Sequence, residues 1–493
     1  VARNINAAFL ILLSGPDHGR YSAGKAYLDA FSADEKWGNI AAFMENGAAI
    51  IHGEIQNLCR EDDEFKCALE KAGLFCTQRD IPWENKSLEK IWGVLFPEGA
   101  HCLLDQTEKI LSLRAGRRVR ITAPNPSPID NPSHQMLFLS NLLVTTPKDF
   151  ESLERLPHSS HMIEKLKEIM GEKQRYWFDH PIQIGVSNDN NEAIYGLRGL
   201  DNAISFEKGR GVAQPADKLT CLLSVSVTHD GLHGIVNDYL KDVYADTEPF
   251  QNLNVYLFSE NDTDRISTEI LLPAVEKYMG VSNGDTLRRV FGVDGEYGRH
   301  YSFLKAMTAF WKVFISPNVK GSFKLDLDQV FDQVALVKET GNSALEHFKT
   351  PLWGAKGEDV DGNLVELGLM AGALVNTEDA SKGIFTPDVP IPDPIPQGEA
   401  VAFFSPLPMS ISTRGEMMAR YDHATLDGIH SCLQRVHVTG GTTAALIESL
   451  RKHRPFTPTF IGRAEDQAYL MGSLFSNPDA NLRYLHKPGL IMR

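Results

Sequence analysis

LTCLLSVSV, residues 219–227, is an apolar, β-branched run of strand length that ends in the polar residues Thr228-His229-Asp230-Gly231. A helical segment follows it, and a second strand is predicted at residues 254–258 (NVYLF). After two more helical segments, a third strand is predicted at residues 322–325 (SFKL). Strands that alternate with helices in this way are typical of βαβ units. The sequence therefore predicts an α/β fold with a parallel sheet.

All three predicted strands end in polar or acidic residues. The first ends at Thr228-His229-Asp230, the second in Ser259–Asp264 (SENDTD), and the third in Asp326-Leu327-Asp328. Ligands of open α/β sheets bind at the carboxyl ends of the strands. This end of the sheet is therefore the predicted functional site.

The flanking regions are less regular. Residues 358–363 (EDVDGN) lie between apolar segments and predict a hairpin turn, and the five prolines of residues 387–396 predict an extended loop. Residues 162–170 have apolar residues at helical spacing, and residues 207–217 indicate a linker. We therefore predict two domains, residues 1–210 and 215–493. The first is α/β or mostly helical, with a fold and role that the sequence does not define.

Composition limits the function further. The chain has 493 residues and a formal net charge of −15, which disfavours nucleic-acid binding. The apolar run at residues 7–13 is too short for a membrane span and lacks the features of a signal peptide. Six cysteines are scattered without a C-x-x-C pair, which favours a cytoplasmic protein.

One phosphate-loop pattern is a weak candidate. Residues 19–25 (GRYSAGK) match the spacing G-x-x-x-x-G-K, but Ala26 stands where a Mg²⁺-binding Ser or Thr is needed. We interpret this match as coincidental.

The D-x-D pair is the most informative motif. Residues i and i+2 of an extended chain share one face, so Asp326 and Asp328 can point at one cation. Mg²⁺ prefers one or two carboxylates and completes its shell with water and substrate phosphates. The same residues also fit another reaction, because residues 325–330 (LDLDQV) are similar to the nucleophile motif of haloacid-dehalogenase-like phosphatases. That family opens its domain with this strand, whereas here two predicted strands come earlier.

The order of the motifs resembles that of a GT-A glycosyltransferase, family 2-like. The matching segments are the first strand end at residues 226–230, the acidic second strand end at 259–264, the D-x-D at 326–328, a glycine segment at 440–442 and an E-D signature at 465–470. The resemblance covers roughly residues 215–493. It departs from the family pattern in lacking the proline of the first strand end and in its long spacing between the D-x-D and E-D motifs.

The resemblance implies a metal-dependent transfer of a sugar from a nucleotide-sugar donor, a UDP- or GDP-sugar, to a hydroxyl of a small-molecule or glycan acceptor. It implies a Rossmann-like mixed sheet and a Mg²⁺ or Mn²⁺ ion held by Asp326 and Asp328, with His486 as a further ligand. Asp466 is the implied general base of an inverting reaction. The candidate donor-binding residues are Thr228, His229, Glu260, Asp264, Arg299, Lys305, Gly440, Gly441 and Thr442. The alternatives are a phosphatase with Asp326 as nucleophile and a non-catalytic nucleotide-sugar-binding regulator. The sequence leaves open the donor base, the sugar, the acceptor, the stereochemical outcome and the oligomeric state.

Overall fold

The computed structural model describes residues 1–34, 36–76, 106–154, 160–175, 180–295, 297–375, 408–416, 420–421, 426–438, 440–453, 465–474 and 481–493. It divides the chain into two compact units, residues Val1–Asp105 and Gln106–Arg493. The predicted boundary near residues 210–215 is therefore wrong. The reason is that a strand before residue 210 pairs directly with the strand at 219–227.

The described part of the first unit is helical. Its helices are α1 (Ala2–Leu13), α2 (Tyr21–Asp29), α3 (Gly38–Glu61) and α4 (Asp63–Cys76). Ile5, Leu12 and Leu28 are almost fully buried in a small core shared by the first three helices. Residues 21–25 of the phosphate-loop pattern belong to α2, where the Lys25 Nζ atom bonds to Glu45. This helical position follows another helix, not a strand, and agrees with the interpretation of the match as coincidental.

The second unit contains an eleven-stranded mixed sheet, counted over the described residues. Its strands are β1 (Arg118–Ala123), β2 (Met136–Thr145), β3 (Ile182–Gln183), β4 (Leu219–Val227), β5 (Leu253–Ser259), β6 (Gly321–Lys324), β7 (Lys356–Glu358), β8 (Leu364–Leu374), β9 (Ser431–Arg435), β10 (Thr443–Leu446) and β11 (Leu482–Met492). The strand order is β11-β9-β1-β7-β8-β10-β6-β2-β4-β5, with β3 beside β2. The class is mixed α/β.

One half of this sheet is parallel. β2 pairs in parallel with β4 on one side and with β6 and β3 on the other, and β4 pairs with β5. The chain runs from β2 outward to β4 and β5, and then returns to place β6 on the opposite side of β2. This change of direction makes the carboxyl ends of β2 and β6 a topological switch point, where α/β proteins bind ligands.

The other half is largely antiparallel and closes on itself. β8, β7, β1, β9 and β11 are joined in a ring because β11 pairs in parallel with β8 as well as antiparallel with β9. The sequence predicted only the hairpin of this ring, which β7 and β8 form around residues 359–363. The closed five-stranded barrel itself was not predicted.

Helices cover both faces of the sheet. In the second unit they are α5 (Gln106–Gly116), α6 (Pro132–Gln135), α7 (Phe150–Glu154), α8 (Ser160–Ile169), α9 (Glu192–Gly209), α10 (Val236–Ala245), α11 (Glu260–Ile266), α12 (Leu272–Met279), α13 (Gly284–Val290), α14 (His300–Phe314), α15 (Gln333–Thr340), α16 (Ala344–Phe348), α17 (Pro408–Glu416), α18 (Ile447–Lys452) and α19 (Glu465–Leu474). Successive residues of β4 point to opposite cores: Leu223 packs in the cluster that contains α9, and Leu222 in the one that contains α14. Burial of both strand faces explains the continuous apolar run from which β4 was predicted.

The predicted linker at residues 207–217 is wrong as well. Residues 207–209 are the last turn of α9, and the carboxylate of Glu207 is fully buried. It accepts hydrogen bonds from the Gln333 side chain at 2.7 Å and the Ser343 hydroxyl at 2.6 Å. This polar segment therefore joins the fold instead of separating two domains. The proline-rich segment 387–396 lies outside the described residues, and within them no helix is long and apolar enough to cross a membrane.

Candidate functional site

A cavity of about 190 Å³ lies at the switch point. β6 pairs with β2 as far as Leu139, and β3 pairs with it from Val144, so residues 140–143 face a gap in the ladder on this side. These four residues line the cavity together with Asp326, Leu327 and Asp328. The sheet therefore opens a pocket at the place where the D-x-D segment (Asp326–Asp328) follows β6.

Three carboxylates line this cavity, namely Asp326, Asp328 and Glu192, together with His180. Burial raises the pKa of Asp326 to about 6; Lys324 lowers it in part, while Asp328 and the other nearby carboxylates raise it further. Burial and the charge of Asp328 also raise the pKa of Glu192. The cavity thus concentrates more negative charge than its surroundings neutralise. Carboxylate oxygens arranged in this way fit a hard divalent cation such as Mg²⁺ or Mn²⁺.

Beside the cavity, a buried lysine holds the E-D pair. Lys324 is the last residue of β6, and its Nζ donates to Asp466 Oδ2 at 2.7 Å and also bonds to the Glu465 carboxylate. The ammonium lies 4.0 Å from the centroid of the Tyr301 ring, and the Thr443 hydroxyl donates to Asp466 Oδ1 at 3.2 Å. Because Lys324 and Asp326 are two residues apart in an extended segment, this ion-pair cluster lies directly against the D-x-D segment.

The glycine segment reaches the same place. Residues Gly440–Thr442 form a short 3₁₀ turn before β10. A Cβ atom at Gly441 would lie 2.7 Å from Asp326 Oδ2 and 2.6 Å from Gln329 Oε1, closer than carbon and oxygen can approach. A Cβ at Gly440 would lie 3.2 Å from Lys324 Nζ and 4.0 Å from Asp466 Oδ2. The turn thus packs against both acidic motifs, and its last residue, Thr442, is fully buried.

Lys305 belongs to the same neighbourhood. It is buried on α14, and burial lowers its pKa to about 8, while Asp466 and Glu465 oppose that shift. Arg299 precedes α14 in a 3₁₀ turn and is half-buried. Lys305 thus lies within electrostatic range of the E-D pair.

Thr228 and His229 lie at the carboxyl end of β4. The Thr228 hydroxyl donates to Thr145 Oγ1 of β2 at 2.7 Å and lies 2.8 Å from His229 Nδ1. Burial lowers the pKa of His229. The two residues tie the ends of β2 and β4 together beside the switch point.

Glu260 has an internal role that corrects its predicted one. Its carboxylate is buried and accepts from the backbone N–H groups of Asp294 at 2.9 Å and Val227 at 3.3 Å. Burial raises its pKa to about 7, against the effect of these donors and of Arg175. Asp264, predicted as its companion, accepts from Arg288 Nε at 2.6 Å. The Glu260 carboxylate thus joins the end of β4 to the segment at Asp294, and this internal use replaces its predicted role in donor binding.

One compact group of potential metal ligands within the described residues is His233, Glu260 and Asp294. Arg175 already supplies a cation to this group. Its guanidinium lies 2.9 Å from Asp294 Oδ1, 3.0 Å from His233 Nε2 and 3.8 Å from Glu260 Oε2. Because Arg175 balances the charge of the two carboxylates, we infer no metal ion at this group.

His486 does not lie next to the D-x-D segment. Lys324 pairs with Thr443, Thr443 with Ala371, and Ala371 with His486, so three strand spacings separate the two ends of this row. Three spacings amount to about 14 Å between Cα atoms. The prediction of His486 as a ligand of the same cation is therefore corrected by the position of β11.

Sequence reasoning missed Glu192 and His180. Glu192 follows Asn191, whose side chain caps α9, within the polar run of residues 187–192. Such a run is typical of a loop followed by a helix cap, and nothing local connects it with residue 326. If β2 had been predicted as the central strand, the position of the cavity could have been inferred, because β2 forms one wall of it.

Comparison with protein-family models, with curated proteins and with solved structures finds no match to this chain. Any functional assignment therefore depends on the site itself.

Proposed function

We propose that this protein is a metal-dependent glycosyltransferase of the GT-A type, which moves a sugar from a nucleotide-sugar donor to a hydroxyl acceptor. One observation carries the proposal: the D-x-D, G-G-T and E-D motifs, at residues 326–328, 440–442 and 465–466, meet at the end of β6. The resemblance treats these motifs as parts of one donor site. Their convergence at a topological switch point, where α/β proteins bind ligands, supports a common role.

The D-x-D segment and Glu192 are the residues proposed to hold the cation. A bound Mg²⁺ or Mn²⁺ ion would neutralise the donor diphosphate and the charge that develops as it leaves. The raised pKa values of Asp326 and Glu192, which come from burial and from the charge of Asp328, support this role because a bound cation would stabilise both ionised carboxylates.

The donor nucleotide is proposed to lie at the carboxyl ends of β2 and β4. This moves the first strand of the resemblance from β4 to β2, whose end at Thr145 is followed by Thr146-Pro147. A proline at the first strand end is the feature that the sequence lacked after β4. Thr145, Thr228 and His229 then face the base or ribose.

Asp466 is the proposed general base for the acceptor hydroxyl. Each of its oxygens accepts one hydrogen bond, from Lys324 Nζ or from Thr443 Oγ1, and each keeps a second lone pair. These two bonds fix the orientation of the carboxylate, as a positioned base requires. Lys324 acts as a positioning residue for Asp466.

The experiment is a screen of UDP- and GDP-sugars with Mn²⁺, measuring nucleoside diphosphate release by wild type, Asp328→Asn and a control, Asp361→Asn. Asp328 and Asp361 are both exposed, but Asp361 lies in the hairpin between β7 and β8. The expected result is Mn²⁺-dependent release that Asp328→Asn abolishes and Asp361→Asn retains. Hydrolysis of p-nitrophenyl phosphate without transfer would favour the phosphatase, and donor binding without turnover the regulator. Either result would overturn the proposal.

A further inference from the structure

A second cavity, of about 370 Å³, lies where β11 leaves the ladder of β8. His486 pairs with Ala371, and the next pair is Ile491 with Ala373, so five steps on β11 match two on β8. Residues 487–489 (Lys-Pro-Gly) bulge out of the ladder and line the cavity. This cavity shares no lining residue with the one at the D-x-D segment.

Lys487 is the one charged group of this bulge. In the part of the chain that the structure describes, no hydrogen bond or ion pair joins its ammonium to another residue. Burial lowers its pKa to about 8, and no opposing carboxylate takes part in that shift. Lys487 is half-buried, and partial burial of a cation without a counter-charge costs free energy, so this ammonium does not stabilise the fold.

The acidic groups around the cavity bond to groups other than Lys487. Asp427 accepts from the backbone N–H groups of residues 429–431 and from His430 Nδ1 at 2.8 Å. Glu339 Oε1 accepts from Arg493 Nη2 at 3.3 Å. Neither carboxylate forms an ion pair with Lys487.

The remaining titratable groups add no negative charge. Burial, together with the charge of Lys487, lowers the pKa of His347 to about 3, so the imidazole is neutral. Arg420 also lines the cavity. Lys487 therefore has no counter-ion among the groups that line the cavity, and an anion from solution would supply one.

We propose that this cavity binds a small molecule through its carboxylate or phosphate group, with Lys487 as the residue that pairs with the anion. The volume is within the range of small-ligand pockets, about 300–1,000 Å³. β-Bulges are common beside functional sites, where they redirect a side chain. Here the bulge turns Lys487 out of the β8 ladder. The proposal does not depend on the glycosyltransferase assignment.

The experiment measures thermal unfolding and calorimetric binding with inorganic phosphate and with malonate, at constant ionic strength. Lys487→Met keeps the length of the side chain and removes its charge. Lys241→Met, on α10, is the control, since Lys241 is exposed and pairs with Asp238. Without anion, Lys487→Met should be as stable as wild type or more stable. With saturating anion, wild type should become the more stable protein, and its affinity should exceed that of Lys487→Met by about 10- to 100-fold.

Binding of phosphate alone would identify a phosphorylated ligand, and binding of malonate alone a carboxylate; both outcomes support the site. Equal affinity in wild type and Lys487→Met would overturn it, as would the absence of binding to wild type at tens of millimolar of either anion. Failure of Lys487→Met to fold would also contradict it, because an ammonium without an internal partner does not stabilise the fold.

Discussion

Asp326 is buried beside other carboxylates, and its raised pKa predicts how metal binding depends on pH. A metal-binding carboxylate must be ionised, so a cation competes with a proton at this residue. With a pKa of about 6, Asp326 is protonated as the pH falls through that value. Mn²⁺ affinity should therefore be constant above about pH 7 and fall by up to about tenfold per pH unit below about pH 6. Calorimetric titration checks this.

The same shift fixes the sign of the stability change without metal. A carboxyl whose folded pKa exceeds its unfolded value stabilises the fold at low pH, and the stability falls as the pH rises from about 4 to about 6. Asp326→Asn should flatten this slope and weaken Mn²⁺ binding at every pH. A wild-type Mn²⁺ affinity that is constant down to pH 5 would contradict the role of Asp326.

Asp466 gives the second prediction. The sequence predicted it in the first turn of a helix, where a carboxylate interacts favourably with the helix dipole and can also act as a general base. In the structure it is buried against Lys324, so Asp466→Asn should lower the free energy of unfolding by about 1–3 kcal/mol in urea titrations. If Asp466 is the base, kcat should also fall by about 10²–10⁴ while donor affinity changes little.

Glu465→Gln is the matched control because it bonds the same ammonium. It should lose similar stability but keep most of the turnover. Lys324→Met should cost more, about 3–5 kcal/mol, since it leaves two buried carboxylates without a cation. Equal kcat values for Asp466→Asn and Glu465→Gln would show that Asp466 is not the general base.

At the scale of elements, the turn of residues 440–442 makes the third prediction. Gly441→Ala should weaken Mn²⁺ binding at least about tenfold, because its Cβ displaces the Asp326 carboxylate by clash. Gly440→Ala is the control, since its Cβ meets Lys324 Nζ at 3.2 Å, a smaller overlap that does not involve Asp326. Equal Mn²⁺ affinities of the two variants, measured by titration, would show that the turn does not position Asp326.

Elements with a strong local pattern were predictable from the sequence. β4 begins and ends at the predicted residues, and β5 and β6 differ from prediction by one residue at each end. The helix around residues 162–170 was also predicted from its apolar spacing and is confirmed, as is the helical segment predicted before the third strand, which is α14. Residues 136–145 (MLFLSNLLVT) were missed, because a Leu-rich run with few β-branched residues does not distinguish a buried strand from a helix.

Within the site, local signals identified Asp326, Asp328, Gly441 and Asp466 but not their surroundings. Lys324 lies inside a strand, where nothing in the sequence shows that two carboxylates more than a hundred residues away surround it. The internal use of Glu260 was hidden for the same reason, because its backbone partners Val227 and Asp294 are set by the packing of three separate elements. The prediction of the site was therefore limited mainly by contacts between residues that are distant in the sequence, and less by the local preference of each segment for helix or strand.

At the scale of the whole molecule, the division at Asp105 gives the fourth prediction. Every residue of the proposed metal site, and every strand of the sheet, belongs to residues 106–493. A chain that starts at Gln106 should therefore fold, with cooperative urea unfolding and Mn²⁺ affinity close to that of the full chain. Circular dichroism and titration check this. A fragment that is soluble but unfolded would show that residues 1–105 are needed for the stability of the sheet.

Closure of the β8-β7-β1-β9-β11 ring has a consequence for the rate of folding. Arg120 of β1 pairs with Glu358 of β7, 238 residues later in the chain, so this seam cannot form before a very long loop has closed. The entropy cost of such a loop grows only slowly with its length, but contacts of high sequence separation slow the search for the native state. The parallel pairing of β2, β4 and β5 joins segments much closer in sequence and is expected to form first. Until the ring closes, β1 and β9 present open strand edges, and in that interval the chain is most exposed to association with other copies of itself.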